Sequence, residues 1–235
     1  MVAAPIPMNE AARLQELLDF DILDTLPEQA YDDITFLASR ICDAPVALVS
    51  LIDGEREWFK SRLGLEVTET SRDLAFGAHA ILEPTELFVV SDALEDERFA
   101  ENPLVTNGPS VRFYAGAPLV TSAGNALGTL CVIDTKPRQL ADEQARSLEA
   151  LSRQVMAQLE LRRRGAQLDM KTAEYHVYSN QLMDYQRKLE DSLSTVGHLS
   201  KTDPLTGLNN RRGLIERLEE EQKAGLLTDQ KEVFA

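Results

Sequence analysis

The residues of this chain best suited to metal binding or covalent chemistry are three histidines, His79, His176 and His198, and two cysteines, Cys42 and Cys131. None stands at metal-ligand spacing from another, so no metal site is expected and no catalytic residue is assigned. Both cysteines lie in apolar surroundings, which suits two small buried hydrophobes and a reducing compartment better than a disulfide framework. The basic run Arg162-Arg163-Arg164 offers anion-binding chemistry, but its position inside a helical pattern makes it a solvated helix face.

A second patterned stretch is Asp203-Pro204-Leu205-Thr206-Gly207-Leu208-Asn209-Asn210-Arg211-Arg212. Pro204 cannot continue a preceding helix, and Gly207 can take positive φ. Asn209 or Asn210 can then cap a new helix through Leu214, Ile215 and Leu218.

The elements that must position these groups fall into three stretches. Leu14, Leu17 and Leu18, then Ile34, Leu37, Ala38 and Ile41, recur at helical spacing, with Pro27 expected to open the second of two helices. Residues 45–52 are apolar and β-branched, Asp53-Gly54 marks a turn, and residues 57–63 read as the partner strand. A short helix over 74–82 and strands over 87–90, 111–120 and 126–133 follow. The turn chemistry of Asn102-Pro103 and Asn107-Gly108-Pro109 makes 96–109 a flexible flap. The pattern predicts an α+β domain with a central antiparallel sheet flanked by helices.

Beyond Pro137 the texture becomes helical. Leu148, Leu151, Val155 and Leu159 form one stripe, to pack on the sheet or pair with its own copy. The phase shifts near Gly165, where a break is expected. From there Leu168, Tyr175, Leu182, Leu189 and Val196 alternate with Lys171, Tyr178, Tyr185, Ser192 and Leu199 as an a/d seam of a coiled coil. Lys171, Ser192 and the three tyrosines make that seam weaker than one of leucine and isoleucine. The division predicted is therefore 1–164 for the sheet domain, 165–200 for a coiled-coil helix and 201–235 for a third, incomplete unit. The expected partner is a second copy in parallel.

Charge narrows the partners further. With 39 acidic against 24 basic side chains, the net charge of −15 repels phosphate backbones and anionic headgroups, so neither nucleic acid nor membrane is expected. No basic cluster followed by an apolar run opens the chain, and residues 46–52 are far short of a membrane span, which points to the cytoplasm.

The 203–212 segment resembles the D-x-L-T-G-L-x-N-R-R opening of GGDEF-type diguanylate cyclase domains, matching at Asp203, Leu205, Thr206, Gly207, Leu208, Asn210, Arg211 and Arg212. The resemblance implies a cyclase output in a longer parent, with residues 232–235 starting its first strand. The G-G-[DE]-[DE]-F loop needs two adjacent glycines, and this sequence has none. The chain as given is therefore expected to be inactive as a cyclase, lacking metal-binding carboxylates and a phosphate cradle.

Residues 1–164 resemble the GAF domains that precede bacterial cyclases and histidine kinases. The likeness runs through Ile22-Leu23-Asp24-Thr25, Glu57-Trp58-Phe59-Lys60-Ser61-Arg62-Leu63-Gly64, Arg72-Asp73, Ala78-His79-Ala80-Ile81, Arg112-Phe113-Tyr114-Ala115-Gly116 and Leu127-Gly128-Thr129-Leu130-Cys131. Gly77 stands where that family often has cysteine, so thiol-based sensing does not carry over. The resemblance implies a small-molecule cavity between the sheet and the segments 74–82 and 96–109. Its candidate lining residues are Trp58, Phe76, His79, Asp92, Phe99, Phe113 and Tyr114, each of which also fits a purely structural role. No cofactor is identifiable and the ligand is unknown.

The function implied is sensory and regulatory: ligand binding changes helix packing, and the coiled coil carries the change to the output domain. Two alternatives are a GAF-fold enzyme of the free methionine sulfoxide reductase type, which would need a reactive thiol, and a dimerisation scaffold with an empty core. The end of the long helix, at His198, also resembles the phosphorylated helix of histidine kinases but lacks the acidic and Arg/Thr-Pro residues that follow there.

Overall fold

The structure is a computed structural model that describes residues 2–203 and 205–232, with the side chains of all of these except 197–200 and 224–232. It divides into two units, the first ending at Gln167 and the second starting at Leu168.

The first unit is an α+β fold built on six antiparallel strands: β1 (Val46–Ile52), β2 (Arg56–Leu63), β3 (Glu69–Ser71), β4 (Phe88–Val90), β5 (Phe113–Val120) and β6 (Ala126–Asp134). Their order is β3-β2-β1-β6-β5-β4, so β1 and β6 lie at the centre. Strand alternation gives the sheet two apolar faces. Ala47, Val49, Phe113, Ala115, Leu130 and Val132 point to one face, and Leu48, Tyr114 and Cys131 to the other.

The first face is covered by α1 (Glu10–Asp19), α2 (Gln29–Cys42) and the start of α5 (Asp142–Lys201). The stripe Leu148, Val155 and Leu159 is fully buried there, which settles its packing against the sheet. Each such side chain contributes roughly 1.5–3 kcal/mol. Pro27 lies two residues ahead of α2 rather than in its first turn.

Two buried charge clusters tie the helices to the sheet. Arg13 of α1 donates to the Ile52 carbonyl at 2.6 Å and grips Glu10 with two hydrogen bonds of 2.8 Å, while Arg72 donates to the same carboxylate. Lys60 of β2 has its ammonium fully buried among Thr25 Oγ1, the Leu26 carbonyl and Glu28.

The second face is covered by α3 (Phe76–Ala80), a 3-10 turn at Arg72–Leu74 that precedes it, and α4 (Pro103–Thr106). The 96–109 segment, expected as a loose flap, is pinned. Asn102 is buried, its side-chain oxygen accepts the Leu104 N–H and caps α4, and its amide donates to the Leu74 carbonyl at 2.9 Å. Phe99 and Val105 are buried beside it.

The expected break at Gly165 is absent: α5 is helical from Asp142 to Lys201 without interruption. A glycine inside a helix costs only about 1 kcal/mol relative to alanine, less than the surrounding helix formers supply.

In the second unit, Leu168, Tyr175, Tyr178, Leu182, Tyr185, Leu189 and Val196 are all at least 61% exposed, and Leu199 lies outside the described side chains. Thr202 and Asn209 form an isolated antiparallel bridge. Asp203 Oδ1 accepts the backbone N–H groups of Leu205 and Thr206, and Gly207 takes φ +68°, which a side chain would resist. Asn210, not Asn209, caps α6 (Arg211–Glu232) by accepting from Arg212 and Gly213. Glu232, expected to begin a strand, is the last residue of that helix, and residues 233–235 lie outside the described ones.

Candidate functional site

A cavity of about 340 Å³ opens between the second face of the sheet and its covering segments. Phe76 supplies part of its wall from α3, and Leu104 and Pro109 come from the 96–109 segment. The sheet provides Leu48, Phe59, Tyr114 and Cys131. This is the size and the mostly apolar character in which small molecules are held.

The polar residues beneath the cavity form one cluster. The Tyr114 hydroxyl and the Ser50 hydroxyl each lie 3.0 Å from Thr129 Oγ1. Glu57 reaches this floor from β2, where its side chain shares a face with Phe59 two residues on. Its carboxyl group lies against Gly77 of α3, in the space a side chain there would fill. Oε1 is buried without a hydrogen-bond partner. Burial pushes the Glu57 carboxyl up to about 7, against a smaller opposing hydrogen bond from Ser50. Burial also raises the Tyr114 hydroxyl and the Cys131 thiol, and the nearby Glu57 charge adds to both.

Of the seven lining candidates, the structure brings Phe76 and Tyr114 to the cavity. Trp58 and Phe113 belong to the helix-covered core on the other face. Each neighbours a cavity residue, Phe59 and Tyr114, and adjacent strand residues point to opposite faces, so no such pair shares one side. Phe99 stacks on Phe76 with ring centroids 4.0 Å apart and lies behind the cavity wall. His79 packs edge-on against Phe99, and its Nε2 lies 3.1 Å from the Val2 carbonyl. Burial holds its pKa below the usual imidazole value. Asp92 is engaged outside the cavity in a two-pronged pair with Arg112, which lowers its pKa.

The residues that the sequence reading passed over are Glu57, Phe59, Leu48 and Cys131. Alternation was the available signal: in Glu57-Trp58-Phe59, assigning the tryptophan to one face commits both neighbours to the other.

Both cysteines lie where the sequence suggested, Cys42 on a helix facing the core and Cys131 on a central strand. Burial raises the Cys42 thiol to about 11 despite the Arg138 charge. Neither is the exposed, low-pKa thiolate that sulfoxide reduction requires.

Comparison with known families decides the assignment, because the GAF domain model matches residues 26–159. The chain belongs to the GAF domain family. A curated relative from Pseudomonas aeruginosa, named as a cyclic di-GMP phosphodiesterase, is 38% identical over 177 residues. That alignment covers 75% of this GAF-containing chain, which spans 30% of the relative's length. The GAF domain of an Acinetobacter phosphoenolpyruvate-protein phosphotransferase is similar at 18% identity with a TM-score of 0.45, covering 65% of this chain and 93% of that one. The chromophore-binding domain of the R. palustris bacteriophytochrome RpBphP3 matches at 11% identity and a TM-score of 0.49, covering 68% and 65%. Among the described residues of this GAF protein, no helix is long and apolar enough to cross a membrane.

Proposed function

We propose that this chain is the sensing and pairing part of a cyclic di-GMP signalling protein, and that it acts as a parallel dimer. The observation that carries this is the double use of α5. Its first turns bury Leu148, Val155 and Leu159 on the sheet, and the same helix continues into the exposed stripe from Leu168 to Val196. An apolar seam of that period is stable in water when a second copy covers it.

A ligand in the cavity would bias the sheet and, through the α5 residues packed on its far side, the spacing or rotation of two paired helices. That requires two helix arrangements within a few kcal/mol, one of which the ligand prefers. The 203–212 motif supports a GGDEF-type domain beyond the seam, and the name of the Pseudomonas relative supports the same nucleotide as the currency of the output. That relative is named for hydrolysis, so the longer protein is to be assayed for both synthesis and hydrolysis of cyclic di-GMP.

Native mass spectrometry tests the pairing, and reports any retained small molecule as well. A mass of two chains, with or without a retained small molecule, agrees with the proposal. A single 26.1 kDa species at every concentration refutes it.

A further inference from the structure

The cavity has an unusual electrostatic balance. Glu57 and Asp134 both line it, and none of its described lining residues is an arginine, lysine or histidine. Asp134 is already answered by Arg138, with which it forms an ion pair. Tyr114 is committed to Thr129, and Cys131 is a buried thiol. That leaves Oε1 of the Glu57 carboxyl, on a side chain nine-tenths buried, as the buried polar atom of the described lining without a hydrogen-bond partner.

Resting on the reading of this cavity as the sensory site, we infer that it takes a small molecule with an apolar body and a positively charged nitrogen, which docks on the Glu57 carboxyl. Leu48, Phe59, Phe76 and Val111 supply the apolar walls for the body. A cationic N–H donor meets an acidic group in a dry site, where such charge-assisted bonds are strongest. Phosphorylated or carboxylated molecules, cyclic nucleotides among them, find no lining cation to replace their lost hydration, so they are disfavoured. The input chemistry is thereby kept distinct from an anionic nucleotide output.

Docking also moves a proton. With the site empty, burial keeps Glu57 largely neutral below pH 7. A bound cation favours the ionised form, so Glu57 releases its proton to solvent as the ligand enters. The other titratable groups facing Glu57 are the Tyr114 hydroxyl and the Cys131 thiol, both of which stay neutral through this range.

The test is an NMR titration of the chain with three matched probes: phenethylamine, 2-phenylethanol and phenylacetate. At pH 8 phenethylamine is expected to bind about tenfold tighter than the alcohol, and phenylacetate more weakly than either. Glu57→Gln brings the amine to the level of the alcohol. In the wild-type chain at pH 6, saturation with the amine shifts the Glu57 carboxyl carbon from its neutral to its ionised position, and the alcohol leaves it unchanged. That arm does not depend on the variant folding. Equal affinity for amine and alcohol, tighter binding of phenylacetate, or an unmoved Glu57 resonance would overturn the inference while leaving the cavity a ligand site. Failure of all three probes to perturb Phe59, Phe76 and Tyr114 removes the sensory reading of the cavity as well.

Discussion

Glu57 Oε1 lies 2.2 Å from the point a Cβ atom on Gly77 would occupy. Glutamate at 57 and glycine at 77 are therefore one arrangement: the carboxyl takes the volume that any side chain at 77 would claim. The obstructing atom is the end of a flexible side chain, so Gly77→Ala is expected to displace the carboxyl rather than unfold the domain. The cost in stability should stay below about 1.5 kcal/mol. The Glu57 carboxyl resonance, followed by NMR against pH, should move from its wild-type titration point. Unchanged Glu57 titration with a large loss of stability would show that the carboxyl is held rigidly.

The same carboxyl imposes a pH dependence on folding. Its folded pKa of about 7 exceeds the ordinary value of 4.5. Its neutral form therefore supports the fold fully below pH 4.5, and that support is lost as pH rises through 7. The swing is about 3 kcal/mol. Glu10 has the opposite sign: burial raises its pKa, but hydrogen bonds and charge from Arg13 and Arg72 outweigh this and bring it to about 2. Its contribution is present above pH 4.5 and lost as pH falls toward 2. Urea unfolding of wild type and Glu57→Gln between pH 4.5 and 8 separates the two, since only the wild type should lose stability through this window on account of residue 57. Parallel curves would contradict the assignment.

Asn102 fastens the segment that carries Leu104 and Pro109 to the 3-10 turn ahead of α3. Asn102→Ala removes a helix cap and a tie to the Leu74 carbonyl in a buried setting, at an expected cost of about 2 kcal/mol. Hydrogen exchange should accelerate over 99–111 and leave β1 and β6 unaffected. Uniform acceleration across the sheet would mean that the segment is not a separate local unit.

The buried thiols make a simpler prediction. Cys42 and Cys131 should react with a bulky thiol reagent only on the timescale of unfolding, with both modified in denaturant. Rapid stoichiometric labelling of the native chain would reopen a reactive-thiol role.

Strands β1 and β2 are legible because a short apolar, β-branched run and its partner are joined by the turn residues Asp53-Gly54. β3 is not, since Glu69, Thr70 and Ser71 carry no apolar alternation and join the sheet through backbone pairing to β2 alone. α4 carries only the turn signature of Asn102-Pro103 in the sequence, because four residues hold too little periodicity, and the buried Asn102 caps it. The cavity itself was half visible. Aromatic content pointed to Phe76 and Tyr114, but a glutamate between Arg56 and Trp58 looks like a solvent-facing residue. Only the absence of a side chain at Gly77, on a separate element, gives it room inside.

If two copies lie side by side in register along the exposed stripe of α5, site-directed disulfide formation can trap them. The two native cysteines are buried, so a thiol introduced by Tyr175→Cys reports on that stripe alone. Under mild oxidation in native buffer, parallel pairing gives a covalent dimer joined at 175, and little from a thiol placed on the outward face at Arg187. A chain that stays monomeric on oxidation, or a mixed pair of Tyr175→Cys and Leu189→Cys that joins 175 to 189 in preference to 175 to 175, would contradict parallel pairing.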